Sequence, residues 1–259
     1  MRKIATPVSH LFKDKTQAFQ IEKYSDCLEG RDHSPESNLS AQELFHCDLQ
    51  PIHIFNESNF EYIETIKKVR SNLKLVSFHM ASCYDQPEIE DGKFVPGGRL
   101  FTREEMKANV TYNIKRIKKI LGTDILIAVE NNNYYKTDAY NIVCDPDFIK
   151  EVVIENNIFF LFDIAHAHVS SANMGVRYKQ YRDALPLENI VQVHICKSSS
   201  RLTEVYDAHL EPDIEEWNEI AYLFSKSIDI TYFTIEYYKD PIILVKVLGE
   251  LKDLLKNYE

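Results

Sequence analysis

Short apolar runs alternate with helical patterns along most of this chain. Candidate strands occupy residues 4–8, 25–29, 49–55, 74–78, 125–129, 158–162, 190–193 and 232–235. Apolar residues recur at helical spacing between them, most clearly in residues 60–69, 103–121, 146–155 and 242–255. A run that is apolar at every position, such as residues 158–162, is typical of a strand buried on both faces. The alternation therefore predicts parallel strands joined by helical crossovers.

We predict that these units close into an α/β fold of the (β/α)8 TIM barrel type. The 259 residues suit about eight strand–helix units in one domain spanning residues 1–259. An open sheet that binds nucleotides usually carries a glycine-rich loop after a strand, and no such loop follows any candidate strand. Residues 30–40 and 84–99 are polar and long enough to act as lids or binding loops.

Five candidate strands end in an ionisable side chain: His79, Glu130, Asp163, His194 and Glu236. In a parallel barrel these ends meet on the face where active sites are built. His166, Asp207 and His209 extend the set to eight. Clustered acids without a cation would repel each other, and oxygen and nitrogen donors suit iron, manganese or zinc. The pattern predicts a metal centre, and its size favours two or three ions bridged by carboxylates.

One further ligand is expected from an early strand. His53 in the candidate strand 49–55 is the preferred residue, and His46 is its competitor. His168 is expected to support a ligand or to pack in the core rather than to bind metal. Four polar residues near these ligands are candidates for substrate binding. Asn131 and Asn173 could instead cap loops, and Lys197 and Arg99 could instead be solvated charges.

Composition and charge narrow the class of partner. The net charge of −10 argues against nucleic acid, because phosphate binding needs clustered Lys and Arg. No apolar run approaches the roughly 20 residues that span a membrane, and the first residues lack the apolar core of a signal peptide. The five cysteines are widely spaced and odd in number, which is typical of reduced thiols. We therefore expect a cytoplasmic protein.

Several segments resemble the DUF692 family, the multinuclear non-haem iron-dependent oxidases of the xylose isomerase-like superfamily. They are similar to family signatures in the same order and comprise residues 128–131, 162–175, 184–195, 207–212 with Trp217, and 234–236. Residues 26–29 are similar to a further family motif. Two departures stand out. The family usually has Asn where this chain has His166, and Ala-Gly where this chain has Cys196 and Lys197.

The resemblance implies a barrel that holds two or three iron ions in mixed Fe(II) and Fe(III) states. It implies oxidation of a residue, often cysteine, in a ribosomally made precursor peptide by dioxygen, with a small partner protein that recruits the peptide. Asp163, His166, Asp207 and Glu236 are then the candidate catalytic residues. The implied ligands are His53, His79, Glu130, Asp163, His166, His194, Asp207, His209 and Glu236.

Two other enzyme classes on the same barrel stay open. A sugar isomerase or epimerase needs one metal, which Glu130, Asp163, His194 and Glu236 would hold while carboxylates transfer protons. The Asp-x-x-His spacing of Asp163 and His166 also resembles endonuclease IV, a zinc hydrolase with three metals. Zinc or manganese is thus the alternative to iron. A pure binding module is least favoured, because it has no use for so many metal-binding side chains.

Overall fold

A ring of parallel strands organises residues 2–258, the part of the chain that the computed structural model describes. Within this range the barrel strands are β1 (Lys3–Pro7), β2 (Cys27–Arg31), β3 (Gln42–Cys47), β4 (Leu75–Phe78), β5 (Leu126–Glu130), β6 (Phe159–Asp163), β7 (Ile190–Ile195) and β8 (Tyr232–Ile235). Each strand pairs with the next one along the chain, and β8 pairs with β1 to close the ring. The predicted (β/α)8 TIM barrel is confirmed.

Helices and two hairpins surround this barrel. The helices are α1 (Lys15–Glu22), α2 (Glu57–Val69), α3 (Arg103–Leu121), α4 (Pro146–Asn156), α5 (Ile164–Met174), α6 (Tyr178–Ala184), α7 (Ile214–Ser225) and α8 (Pro241–Lys256). A first hairpin (Glu88–Glu90 with Lys93–Val95) follows β4, and a second hairpin (Lys197–Ser200 with Val205–Leu210) follows β7. None of the helices between residues 2 and 258 is long and apolar enough to cross a membrane.

The interior of the barrel has an apolar floor below a polar layer. Every strand contributes one residue to the floor, which consists of Ala5, Cys27, Leu44, Leu75, Ala128, Leu161, Val191 and Tyr232. Alternate residues of a strand point to the same side of a sheet. On six strands, the residue two positions after the floor residue therefore also faces inward. These six residues are Glu29, His46, Ser77, Glu130, Asp163 and Thr234. This change from apolar to polar residues builds the site at the carboxyl ends of the strands.

The third strand differs from the sequence prediction. It is formed by Gln42–Cys47, whereas the predicted strand at residues 49–55 is a loop packed against α3. Asn113 of α3 fixes this loop, because its side-chain amide donates hydrogen bonds to the backbone carbonyls of Pro51 and His53. Proline cannot donate to a strand ladder, which also disfavours a central strand there. The shift removes His53 from the barrel interior and places His46 in it.

Candidate metal centre

His194 lies in the middle of the polar layer and is fully buried. Its Nδ1 atom lies 3.1 Å from Glu130 Oε1, 3.2 Å from Glu236 Oε1 and 3.9 Å from Asp163 Oδ2. Glu130 ends β5, Asp163 ends β6, and Glu236 directly follows β8. Four consecutive strands of the closed ring thus direct four donor atoms toward one point, which we call the central position.

Glu130 also connects the central position to two imidazoles on one side. Its second oxygen, Oε2, lies 3.4 Å from His46 Nε2 and 3.1 Å from His79 Nδ1. The other ring nitrogen of His46 is hydrogen-bonded to Ser77 Oγ at 2.7 Å, which fixes the orientation of the ring. We call this group, made of His46, His79 and Glu130 Oε2, the His46–His79 position.

Glu236 makes the equivalent connection on the opposite side. Its Oε2 lies 3.4 Å from His209 Nε2, and Asp207 Oδ2 lies 3.2 Å from the same nitrogen. Asp207 Oδ2 is also 3.5 Å from His166 Nε2. The remaining ring nitrogen of His166 contacts the Asn131 carbonyl at 2.8 Å. We call this group, made of His166, Asp207, His209 and Glu236 Oε2, the His166–His209 position.

The donor atoms at these three positions fit metal ions. Two ligand atoms that are each 2.0–2.2 Å from one ion lie about 2.8–3.6 Å apart at coordination angles near 90–110°. Most of the separations above fall in or close to that range. Asp163 Oδ2 and His194 Nδ1 are buried, and neither has a hydrogen-bond partner within residues 2–258. Such unsatisfied buried atoms are rare, and an ion at the central position would satisfy both.

The buried groups shift one another's pKa values. Burial raises the pKa of the Asp163 carboxyl to about 7, although the charge of His166 opposes this shift. Burial also acts to raise the pKa of Glu130, but the charges of His46 and His166 outweigh it and hold that pKa well below its usual range. A divalent cation beside Asp163 would lower this pKa, because it would stabilise the ionised carboxylate.

A charged network below the centre holds His194 in place. The Glu29 carboxylate lies 3.1 Å from His194 Nε2 and accepts a hydrogen bond from Gln192 at 2.5 Å. Its other oxygen accepts from Arg31 at 2.7 Å. Arg31 also donates to Glu236, so the guanidinium joins two buried carboxylates. The network fixes the ring so that Nδ1 faces the central position.

A cavity of about 450 Å³ opens above this centre. Its walls include Arg31, His79 and His166 from the barrel and Phe94 from the first hairpin. Lys93 of the first hairpin forms an ion pair with Glu204, at the turn of the second hairpin. The two hairpins are therefore joined beside the mouth of the cavity.

The structure brings together eight of the nine residues predicted as ligands, and His53 is the exception. The His53 ring contacts the Ser82 carbonyl at 2.9 Å and stacks on Phe101. It lines a different cavity of about 370 Å³. His46 takes the place expected of His53, because it belongs to β3 whereas His53 follows that strand in a loop. His168 also stays outside the group, with its ring stacked on Tyr178.

The four predicted substrate-binding residues have other partners. Asn131 exchanges hydrogen bonds with the backbone of Asp163, and Asn173 does so with Val205. Lys197 and Arg99 form ion pairs with Asp213 and Glu105, respectively. None of the four lines the cavity above the centre. Asn131 and Asn173 thus orient the backbone around the centre, while Lys197 and Arg99 carry partly solvated charges. Substrate binding by these four residues stays a prediction.

Sequence reasoning missed Glu29, Arg31 and Cys196. The 26–29 segment contained a signal for Glu29, since it resembles a family motif. Arg31 gave no signal, because its partner Glu236 is adjacent only through closure of the barrel. Cys196 was visible as a departure from the family motif. The structure places its thiol 3.6 Å from Asp207 Oδ1.

Comparisons with known proteins agree with this architecture. A family model described as RiPP precursor modification enzyme MbnB/TglH/ChrH matches residues 51–254. The UPF0276 protein AM1_3026 of Acaryochloris marina is 24% identical over 154 residues, which cover 60% of this chain and 54% of that protein. The chain spans about half the length, or less, of the curated relatives it matches.

Solved structures with low sequence identity share the fold. A xylose isomerase-like TIM barrel protein from Mycobacterium smegmatis in complex with magnesium has a TM-score of 0.64 at 11% identity, covering 100% of this chain and 98% of that chain. The 3-keto-D-glucoside 4-epimerase YcjR of E. coli has a TM-score of 0.60 at 13% identity, covering 98% and 100%. The match over residues 51–254 shows that this chain belongs to the RiPP precursor modification enzyme family MbnB/TglH/ChrH.

Proposed function

We propose that this protein is a multinuclear iron-dependent oxidase that modifies a residue of a ribosomally made peptide with dioxygen. The observation that carries the proposal is the pair of glutamates with divided oxygens. Glu130 and Glu236 each present one oxygen to His194 and the other to a separate histidine group. Carboxylates that face two ligand groups in this way are suited to bridging neighbouring ions. The family match supports a peptide as the substrate.

The donor set supports iron as the metal. Its carboxylate oxygens and imidazole nitrogens suit iron, as they suit zinc or manganese. Iron is the metal of the resembling oxidases and supplies, when bound, the redox chemistry that activates dioxygen. The proposal keeps Asp163, His166, Asp207 and Glu236 as catalytic residues. His166, Asp207 and Glu236 line the cavity, and Asp163 lies 3.8 Å from His166.

The protein's own contribution is positioning, charge and exclusion of water. The apolar floor closes the barrel below the centre, so a substrate reaches the metals only from the cavity. Arg31 keeps a positive charge next to Glu236 and limits the repulsion among the buried carboxylates. Glu29 holds the Nε2 side of His194 and directs Nδ1 toward the central position.

The precursor peptide is proposed to enter through the cavity and to present a cysteine to the centre. Two features are proposed by analogy with the resembling oxidases. They are cysteine as the modified residue and a small partner protein that recruits the peptide. A cavity of about 450 Å³ suits one or a few side chains rather than a whole peptide. The rest of the peptide would then lie outside, near the two joined hairpins.

A zinc hydrolase is the second candidate function. The Asp163–His166 pair and the Asp207–His209 pair both reach the centre, as a trinuclear zinc site would require. A sugar epimerase with one metal is less favoured, because His46, His79 and His209 would then have no role. The structural similarity to epimerases concerns the fold alone.

Metal-dependent turnover separates these functions. We expect protein purified without dioxygen to hold two or three iron ions and to consume dioxygen when a cysteine-containing precursor peptide is added. Mass spectrometry of the peptide should show an oxidative mass change that zinc-loaded protein does not produce. Stoichiometric zinc without iron, and no dioxygen uptake with any candidate peptide, would contradict the proposal.

The two early histidines give a matched pair of variants. His46→Ala should lower the metal content by about one ion per chain, because it removes one of the three donors of the His46–His79 position. His53→Ala should leave the metal content unchanged, since His53 lines a different cavity. Elemental analysis of both proteins measures the difference. Equal metal loss in the two variants would refute the assignment of His46.

Removing the charge behind His194 should weaken metal binding. Changing such a supporting partner typically lowers metal affinity about 10–100-fold, and we expect a loss of that size for Glu29→Gln. Competition with a chelating indicator measures it. The control is Glu43→Gln, which removes a carboxylate paired with Lys3 outside the metal-binding groups. If folded Glu29→Gln protein binds metal as tightly as Glu43→Gln, Glu29 has no such positioning role.

A further inference from the structure

Cys196 lies directly beside the His166–His209 position. It follows β7 at residue 195 and is fully buried. A sulfur, a nitrogen of His209 and an oxygen of Glu236 all lie within 4.8 Å of one another. The sulfur is also 3.6 Å from Asp207 Oδ1. Three ligand-type residues of the proposed centre therefore surround this thiol.

The other four cysteines occupy different surroundings. Cys27 belongs to the apolar floor, and Cys144 donates toward a backbone carbonyl at Asn132. Cys47 and Cys83 are also free and buried. No group of His, Asp and Glu donors within residues 2–258 includes any of these four. A thiol packed among ionisable ligands is thus peculiar to Cys196.

A second observation at this place favours a bound cation. Asp163 Oδ2 is fully buried and has no hydrogen-bond partner within the described range; it lies between the central position, 3.9 Å from His194 Nδ1, and the His166–His209 position, 3.8 Å from His166 Nε2. An ion bound nearby would satisfy this oxygen. A thiolate at about 2.3 Å and an oxygen at about 2.1 Å from one ion are about 3.1–3.6 Å apart at ordinary coordination angles. The sulfur lies 3.6 Å from Asp207 Oδ1, the neighbour of the oxygen that faces His166 and His209, and within 4.8 Å of donor atoms of His209 and Glu236, so it is close enough to share an ion with them.

We propose that Cys196 supplies a thiolate ligand to the ion at the His166–His209 position. The proposal rests on the metal centre proposed above. When the ion binds, the S–H bond of Cys196 breaks, the proton leaves to solvent, and a sulfur–metal bond forms without any change of oxidation state. The segment around Cys196 resembles a family motif that has Ala here, so this ligand would distinguish the chain from relatives with that motif.

The thiolate gives the two outer positions different chemistry. The His166–His209 position would have up to five protein donors, one of them a soft sulfur that favours iron or zinc over magnesium or manganese. The His46–His79 position has three donors of nitrogen and oxygen. The His46–His79 position would therefore keep more coordination sites that no protein donor fills.

Cobalt(II) tests this ligand without relying on catalysis. Metal-free protein is loaded with Co(II) in the absence of dioxygen, and absorption spectra are compared for wild type, Cys196→Ser and Cys144→Ser. Wild type and Cys144→Ser should show a thiolate-to-cobalt charge-transfer band in the near ultraviolet, and Cys196→Ser should lose it. All three should retain the weak visible bands of cobalt bound by nitrogen and oxygen.

The possible failures are distinguishable. Visible bands without a near-ultraviolet band in wild type, or a band that persists in Cys196→Ser, overturn the thiolate while leaving the metal centre intact. Failure of all three proteins, wild type included, to bind Co(II) overturns the metal centre as well. If Cys196→Ser does not fold or binds no cobalt, X-ray absorption of the wild-type cobalt protein tests for a cobalt–sulfur bond instead. A cobalt–sulfur shell at about 2.3 Å supports the thiolate, and a shell of only nitrogen and oxygen overturns it.

Discussion

The carboxylates of Glu29, Glu130, Asp163 and Glu236 are buried together at the mouth of the barrel. Burying a carboxylate without a partner is strongly unfavourable, because its charge leaves water. Arg31 compensates Glu29 and Glu236, whereas Glu130 and Asp163 face mainly imidazoles. The rest of the site follows from this need for positive charge. Metal ions would supply this positive charge, and the unsatisfied atoms of Asp163 and His194 indicate where one ion would bind.

The second half of the barrel and its donors could be predicted because local sequence encodes both. From β4 onward an apolar run is followed at once by an ionisable residue, so one short segment identifies the strand and its donor. The third strand lacks this signal. His46 faces the interior and Gln42 bonds Arg70 on the outer side, so polar residues interrupt the apolar pattern, while the apolar segment around Ile52 and Ile54 packs as a loop. The choice of His53 over His46 followed from that misplaced strand.

The supporting network could not be predicted, because it exists only after the barrel closes. Glu29 and Gln192 are separated by 163 positions along the chain, and Arg31 and Glu236 by 205. No local pattern relates residues so far apart. The hydrogen-bond partners of the residues predicted to bind substrate were hidden from the sequence for a related reason. Asn131 directly follows β5 and Asn173 lies near the end of α5, and their side-chain amides hydrogen-bond to the backbone of segments packed beside them.

The same barrel serves sugar epimerases, so the fold does not decide the chemistry. The distinguishing feature is the pair of histidine groups on either side of His194, each connected to it by one glutamate. Crystallography with anomalous scattering at the iron edge tests this arrangement most directly. We expect anomalous peaks on both sides of His194, with Glu130 and Glu236 each bridging to the central position. A single peak among Glu130, Asp163, His194 and Glu236, with none beside His46 or His209, would contradict a multinuclear centre.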